Sequence, residues 1–148
     1  MSGVEIGSLQ AEHHESGFGL DSARPRLSWR FINPGSEEDW EQASYELTIK
    51  QNGQVKTEEV QATDNVLVPW LGDTLKSREK VSAEVRAKGS DGNWTAKQSI
   101  DLEAGLLHEN DWEAKVVSGP KIGDKRGPLR PLRFWTQFEW DGKGHNAR

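Results

Sequence analysis

Hydrophobic and polar residues alternate with a period of two along much of the chain. The clearest stretch is residues 24–31, R-P-R-L-S-W-R-F, in which Pro25, Leu27, Trp29 and Phe31 alternate with polar neighbours. A period of two puts successive side chains on opposite faces of a strand, so this stretch predicts a strand with one buried face. Trp29 is the largest apolar group on that face, and we expect it near the centre of the core.

The same alternation recurs in segments separated by turn signals. Further strands are predicted for residues 4–14, 45–50, 55–62, 66–68, 81–88 and 94–102. Asn52-Gly53 and Asp91-Gly92 predict hairpin turns, and the Gly-Phe-Gly of residues 17–19 predicts a further turn. The polar segment 55–62 is expected at a sheet edge. This spacing predicts an all-β fold, an immunoglobulin-like or fibronectin III-like β-sandwich, whose core includes Leu27, Trp29, Tyr45, Leu47 and Val85.

The character of the chain changes after residue 105. Residues 1–105 are predicted to form the sandwich, and residues 106–148 a linker followed by the start of a second β-domain. Residues 112–118 and the alternation around Phe134, Phe138 and Trp140 predict its first strands, separated by a basic, Gly- and Pro-rich loop. Too few residues follow for a return strand, so we expect this domain to be incomplete. Its unpaired aromatic face predicts self-association through those three residues.

Three stretches, in this order, carry a family resemblance: GFGLDSARPRLSWRF, LVPWLGDTLKSREKV and EAGLLHENDWEAKVVSGP. They resemble the N-terminal region of bacterial and fungal α-L-rhamnosidases, where a Gly-Leu/Ile-Asp turn leads into an R-P-R-L-S-W strand. The resemblance implies a β-sandwich at the start of a much longer inverting glycoside hydrolase. It also implies that the downstream domains of the same enzyme are its partners. Val81 and Ala83 depart from the family, which usually carries aromatics there, and this leaves room over Trp29.

The resemblance assigns no catalytic residue to this chain. In the family, the catalytic acid and base sit in a downstream (α/α)6 barrel, and none of the 24 acidic residues here lies in a stretch that matches that motif. We therefore expect a non-catalytic accessory module that supports or orients the domains behind it, in a parent enzyme that removes terminal α-L-rhamnose. One alternative is a carbohydrate-binding module that uses Trp40, Trp70 and Trp135. Another is a protein-interaction domain that uses the 55–62 edge.

Composition and charge narrow the classes of partner. A net charge of −5 argues against nucleic acid, and zero Cys excludes disulfides, thiolate metal sites and a Cys nucleophile. No apolar run reaches the roughly 20 residues of a membrane helix. No leader is present as written, so the chain is expected to be soluble, and cytoplasmic or secreted with its leader removed. No cofactor is expected.

Two further patterns suggest binding or modification. His13 and His14 are adjacent on a predicted strand and point to opposite faces, so no metal site is expected there. The acidic run at residues 37–41 lacks the glycine and ligand spacing of a calcium loop and predicts a solvated loop. Asn93-Trp94-Thr95 is a sequon on a hairpin tip, which makes Asn93 a possible N-glycosylation site.

Overall fold

The computed structural model describes residues 3–32, 39–119, 133–137 and 139, and the chain divides into two compact units, Met1–Glu113 and Ala114–Arg148. In its described residues the first unit contains seven strands and one short 3-10 turn, Glu109–Asp111. The strands are β1 (Glu5–Ala11), β2 (Phe18–Leu20), β3 (Leu27–Ile32), β4 (Gln42–Gln51), β5 (Gln54–Val60), β6 (Lys80–Gly89) and β7 (Gln98–Ala104).

The strands form two sheets that share one core. β1 and β3 pair antiparallel as a two-stranded sheet, and the other five strands follow the order β2-β7-β6-β4-β5. Neighbours in the larger sheet are antiparallel except β2 and β7, which run parallel. Buried side chains from both sheets meet in a single cluster. The predicted all-β, immunoglobulin-like sandwich is confirmed, and β5 lies at a sheet edge as expected.

The core is built around Trp29 on β3. Its side chain is 1% exposed, and its ring meets that of Tyr45 on β4 edge to face, with centroids 5.1 Å apart. β6 contributes small residues to the same cluster, among them Val81 and Ala83, so the aromatic partner of Trp29 comes from β4. Leu27, Leu47 and Val85 are also buried. The period-two alternation places all of these side chains on inward faces.

A buried glutamine satisfies the polar edge of Trp29. The indole N–H donates to Oε1 of Gln42 at 3.0 Å. Nε2 of Gln42 in turn donates to the carbonyls of Ala62 and Asp64 at 3.0 and 2.9 Å. Because a buried polar group without a partner is costly, Gln42 both satisfies the indole and fixes the chain that leaves β5.

Residues 66–68 do not form the predicted strand. Val68 makes a single antiparallel bridge with Leu27, and Leu67 has a φ of 53°, which interrupts extended backbone. Asn65 supplies the remaining pairing. Its carbonyl accepts the Trp29 N–H at 2.9 Å, and its side-chain Nδ2 donates to the Trp29 carbonyl at 2.9 Å. The side-chain amide of Asn65 thus donates the hydrogen bond that a backbone N–H of a neighbouring strand would give to β3.

Other strand boundaries also differ from the sequence-based prediction, since β1 ends at Ala11 rather than at residue 14 and β4 begins at Gln42 rather than at residue 45. Residues 17–19, predicted as a turn, contribute to β2, because the Glu103 N–H donates to the Gly17 carbonyl at 2.8 Å and draws the segment against β7. Gly17 has a φ of 64°, and a Cβ there would overlap the backbone of Asp101. β7 begins at Gln98 rather than at residue 94, since Trp94 makes an isolated bridge with Lys88 and Thr95 turns inward.

The predicted strand over residues 112–118 is wrong. Residues 112–119 have no regular secondary structure, and no described segment pairs with them. Val116 is 99% exposed and Val117 is 72% exposed, so the apolar residues of this segment lack the packing that would hold them extended. Phe134 and Trp135 are exposed in the irregular segment 133–137, while Phe138 and Trp140 lie outside the described residues. The start of a second β-domain after Gly105 stays a prediction.

Candidate functional site

A pocket of about 550 Å³ opens between the end of β3 and the start of β4. Phe31 and Trp40 form its aromatic wall, with ring centroids 4.8 Å apart and planes inclined by 61°. Trp40 is half-buried, so part of its indole remains accessible to a ligand. The other lining residues are Val4, Asp39, Glu41, Gln42, Thr63 and Asn65.

Two of the polar side chains in this pocket already bind other parts of the protein. The amides of Gln42 and Asn65 are hydrogen-bonded around Trp29, as described above. Asp39 and Glu41 are exposed. Carboxylate oxygens accept hydrogen bonds from hydroxyl groups, and an aromatic surface suits the apolar face of a sugar ring. The pocket therefore has the chemistry of a weak site for a hydroxyl-rich ligand.

The buried edge of Trp40 is held against the β6 end of the sheet. A Cβ at position 89 would overlap Trp40 Nε1, so glycine is needed there for close packing. The indole N–H makes no hydrogen bond of normal geometry, although the carboxylate of Asp91 is nearby. Hydrogen bonds from Asn93 are the main cause that lowers the pKa of Asp91, and the Trp40 indole adds to the same effect.

Trp70 cannot serve as the predicted sugar platform, because it is buried. Its side chain is 3% exposed and belongs to the core cluster, and its indole N–H donates to the Asp73 carbonyl at 2.9 Å. Gly72 allows this approach, since a Cβ there would lie 2.6 Å from Trp70 Nε1. The W-L-G-D sequence places a small residue two positions after the tryptophan, and that was the available signal for a closed turn.

The three predicted sugar-binding tryptophans do not form one surface within the first unit. Trp40 lines the pocket, and Trp70 is part of the core. Trp135 is 83% exposed and belongs to the second unit. Of the three, Trp40 is the residue that a ligand of the sandwich could reach.

Six carboxyl groups of the first unit are held in their ionised form by neighbouring groups. Every carboxyl group with a resolved shift has a lowered pKa, through hydrogen bonds and ion pairs. For Glu12 the main cause is hydrogen bonding by Arg26, and for Glu46 it is hydrogen bonding by Arg86. The others with lowered pKa values are Glu79, Glu84, Asp91 and Asp111. Within the described ranges, no group of three or more His, Asp or Glu side chains could hold a metal ion.

Sequence reasoning missed an ion-pair network on the outer face of the larger sheet. Arg86 pairs with Glu46 at 2.7 Å across β6 and β4, and Lys50 pairs with Glu84 at 2.6 Å. Lys97 approaches both carboxylates, and the Arg86 guanidinium lies 4.6 Å from the ring centroid of Trp94. Opposite charges at outward positions of adjacent strands were the available signal. Because these charges are paired with one another, this face presents few open ionic contacts to a ligand.

The sequon lies on the predicted hairpin tip, with its polar groups engaged. Nδ2 of Asn93 donates to Oδ2 of Asp91 at 2.9 Å. Thr95 is buried, and its hydroxyl accepts the Ala87 N–H at 3.0 Å while donating to the Ala96 carbonyl at 3.0 Å. Modification of Asn93 stays a prediction.

No helix in the described part of the chain is long and apolar enough to cross a membrane.

Comparison with known proteins gives one consistent result. Residues 6–108 match the family described as "Rha78A-like, N-terminal immunoglobulin domain". An α-L-rhamnosidase of Streptomyces avermitilis is 33% identical over 132 residues, and one of Formosa agariphila is 26% identical over 155 residues. The crystal structure of a native α-L-rhamnosidase from Aspergillus terreus superimposes with a TM-score of 0.72 at 35% identity, covering 82% of this chain.

These similarities cover a small part of each relative. The chain spans 12% of the length of the Streptomyces protein, 16% of the Formosa protein and 14% of the Aspergillus chain. In the other direction, the matches take in 81% and 93% of this chain for the two sequences. The matched region therefore corresponds to one module of a much longer polypeptide.

Proposed function

This chain belongs to the family of Rha78A-like N-terminal immunoglobulin domains, and from that premise we propose that it is a non-catalytic accessory module of an α-L-rhamnosidase. Its role is to support and orient the domains that follow it in the parent enzyme. The parent enzyme hydrolyses terminal α-L-rhamnose from glycosides.

The observation that carries this proposal is the extent of the family match. Residues 6–108 include the seven strands of the sandwich apart from Glu5, the first residue of β1, and the relatives named α-L-rhamnosidases extend far beyond the matched region. A module of this size leaves most of each relative's length for other domains.

The electrostatics of the sandwich support the same role. Glycoside hydrolysis needs a carboxylic acid whose pKa is raised, so that it stays protonated near neutral pH and can donate to the leaving group. The shifted carboxyls here move in the opposite direction, and Arg26 and Arg86 engage two of them directly. Carboxylates of this kind join strands to one another rather than transfer protons.

Two measurements test the proposal. The purified 148-residue chain is expected to release no nitrophenol from a nitrophenyl α-L-rhamnoside above a matched blank. In the longer polypeptide that carries this sequence, removal of residues 1–113 should lower the melting temperature of the remaining domains while they still cleave the same substrate. Release of nitrophenol by the chain itself would overturn the proposal, as would an unchanged melting temperature after the removal.

A second candidate function is carbohydrate binding at the Trp40 pocket. The half-buried Trp40, the neighbouring Phe31 and the exposed carboxylates of Asp39 and Glu41 support it. Titration of the chain with L-rhamnose, followed by NMR, should shift the backbone amide resonances of Thr63 and Asn65, which line the pocket, and Trp40→Ala should remove these shifts. Trp94→Ala is the matched control, because Arg86 already covers that ring. A response that survives Trp40→Ala, or that disappears equally in the control, would exclude this pocket.

A further inference from the structure

The chain leaves the sandwich through a segment that is hydrogen-bonded back onto the loop before β6. The Arg78 N–H points at the carbonyls of Ala104 and Gly105, both at 3.1 Å, and the Ala104 N–H donates to the Glu79 carbonyl at 2.9 Å. These backbone contacts fix the end of β7. The connection therefore begins from a defined position.

A second set of contacts continues past the end of the strand and involves two side chains. The Leu107 N–H donates to Ser77 Oγ at 2.9 Å, and the Ser77 hydroxyl donates to the carboxylate of Asp111. The same carboxylate accepts the His108 N–H at 3.0 Å. One hydroxyl and one carboxylate thus hold both ends of residues 107–111 against the loop. The Leu107 side chain packs against the core cluster beside them.

Ser77, His108 and Asp111 are the residue types of a hydrolase triad, but their arrangement is different. A catalytic serine donates its proton to an imidazole, which the carboxylate orients from its other side. Here the Ser77 hydroxyl donates directly to the Asp111 carboxylate, and it is the backbone N–H of His108 that binds this carboxylate. Because Ser77 donates to the carboxylate rather than to the imidazole, the three residues do not form a triad, and their hydrogen bonds join residues 107–111 to the loop.

We propose that Ser77 and Asp111 are positioning residues that form an exit clamp, composed of Ser77, Leu107, His108 and Asp111, which holds the chain leaving the sandwich in one direction. The inference rests on the proposed accessory function, because a module that orients later domains needs a fixed connection to them. Flexible linkers allow neighbouring domains to move freely. All four residues of the exit clamp lie within the first compact unit, which runs to Glu113.

Amide hydrogen exchange in the 148-residue chain, measured by NMR, tests whether the clamp acts as one unit. In Ser77→Ala, the amide to follow is the N–H of His108, because its acceptor, the Asp111 carboxylate, is still present. In Asp111→Ala, the amide to follow is the N–H of Leu107, because its acceptor, the Ser77 hydroxyl, is still present. We call these the indirect amides of the two variants. If the clamp forms as one unit, the hydrogen-exchange protection factor of each indirect amide should fall at least roughly fivefold, which corresponds to the loss of one net hydrogen bond. Glu109→Ala, which removes a carboxylate from the same turn but outside the clamp, should leave both amides unchanged.

Three results would overturn the proposal. In the first, each substitution lowers protection only of the amide that the replaced side chain had accepted, and the indirect amide keeps its protection. In the second, protection is also lost in β4 and β6, which would make these residues general determinants of stability. In the third, Glu109→Ala has the same effect. If Ser77→Ala or Asp111→Ala does not fold, Asp111→Asn keeps the side-chain volume and replaces the charged acceptor with a weaker neutral one, so protection of the Leu107 N–H should still fall. No activity is measured, so failure of the clamp and failure of the accessory role are distinguishable.

Discussion

At the scale of single residues, Trp29 joins packing and hydrogen bonding in one side chain. Its ring packs on Tyr45, its indole N–H binds Gln42, and its backbone pairs with Asn65. The burial of Trp29 follows from alternation in the sequence. The role of Gln42 does not, because a glutamine at the start of a strand has the same local pattern whether it is buried or solvated. Trp70 differs, because Gly72 two positions later was a local signal that its ring could pack in a closed turn.

Replacement of Gln42 tests this polar contact. Gln42→Leu should lower the free energy of unfolding by about 2–3 kcal/mol, because the buried Trp29 N–H and two carbonyls lose their partner. Urea denaturation at pH 7 measures the change. Gln61→Leu, at an exposed position beyond β5, should change stability by less than about 0.5 kcal/mol. Equal losses in the two variants would contradict the assigned role.

The pair of Glu12 and Arg26 predicts a dependence of stability on acid pH. Hydrogen bonds from Arg26 lower the pKa of Glu12 in the folded state, so the unfolded chain takes up the proton first. The stabilising contribution is present above the unfolded pKa of Glu12, near 4.5, and is lost as the pH falls through the lower folded value.

The substitution Glu12→Gln should therefore reduce stability at pH 7 and flatten its decline between roughly pH 5 and 3. Chemical denaturation across this range gives the curve for each protein. Glu15→Gln, at an exposed neighbouring position, serves as the control and should preserve the parent's slope. A parent-like slope in Glu12→Gln would show that this pair does not contribute to acid sensitivity.

At the scale of elements, strands with a long alternating pattern were predictable, and short ones were not. β4 and β6 carry ten residues each, and their alternation determines their buried faces. β2 has three residues and exists because β7 offers it a partner. Residues 66–68 have the apolar pattern of a strand, but the contact of this segment with β3 depends on the side-chain amide of Asn65 and on the positive φ of Leu67. Such tertiary pairings leave no periodic signal in the local sequence.

The β4–β5 hairpin offers a test at the same scale. Asn52 and Gly53 have φ values of 51° and 76°, as a type I′ turn requires. Gly53→Ala has open space for its Cβ but forces a residue with a side chain into the left-handed region, and should cost about 1 kcal/mol. Gly53→Asn should cost less, since asparagine tolerates that conformation. Thermal unfolding compares the two, and equal melting temperatures would contradict the turn assignment.

At the scale of the whole molecule, the sandwich was predictable from the sequence, and the side-chain contacts that follow its last strand were not. The contacts that extend this unit to Glu113 join Ser77 to a residue 34 positions later in the chain. Neither residue belongs to a hydrophobic pattern. A boundary drawn where the alternation stops therefore falls at Gly105, before the segment that the side-chain hydrogen bonds hold in place.

The exposed aromatics of the second unit predict self-association. Phe134 and Trp135 are 60% and 83% exposed, and burial of such a side chain contributes about 1.5–3 kcal/mol. Light scattering should show a mass that rises with concentration, less so in Phe134→Ser, and a monomer after truncation at Glu113. Ser118→Ala, in an exposed segment without an aromatic, is the control. A monomer at high concentration whose tail resists protease would contradict the prediction.

The side-chain amide of Asn65 also closes an edge. A two-stranded sheet exposes backbone donors and acceptors to any extended peptide, and such open edges are starting points for aggregation. With Asn65 and Val68 bonded to β3, the N–H and carbonyl groups of Trp29 and Leu27 are occupied. The side-chain amide of Asn65 cannot continue the sheet, because it is not followed by backbone N–H and carbonyl groups that could pair with a further strand. The backbone groups of Leu27 and Trp29 on this edge of β3 are therefore not open for pairing with another extended chain.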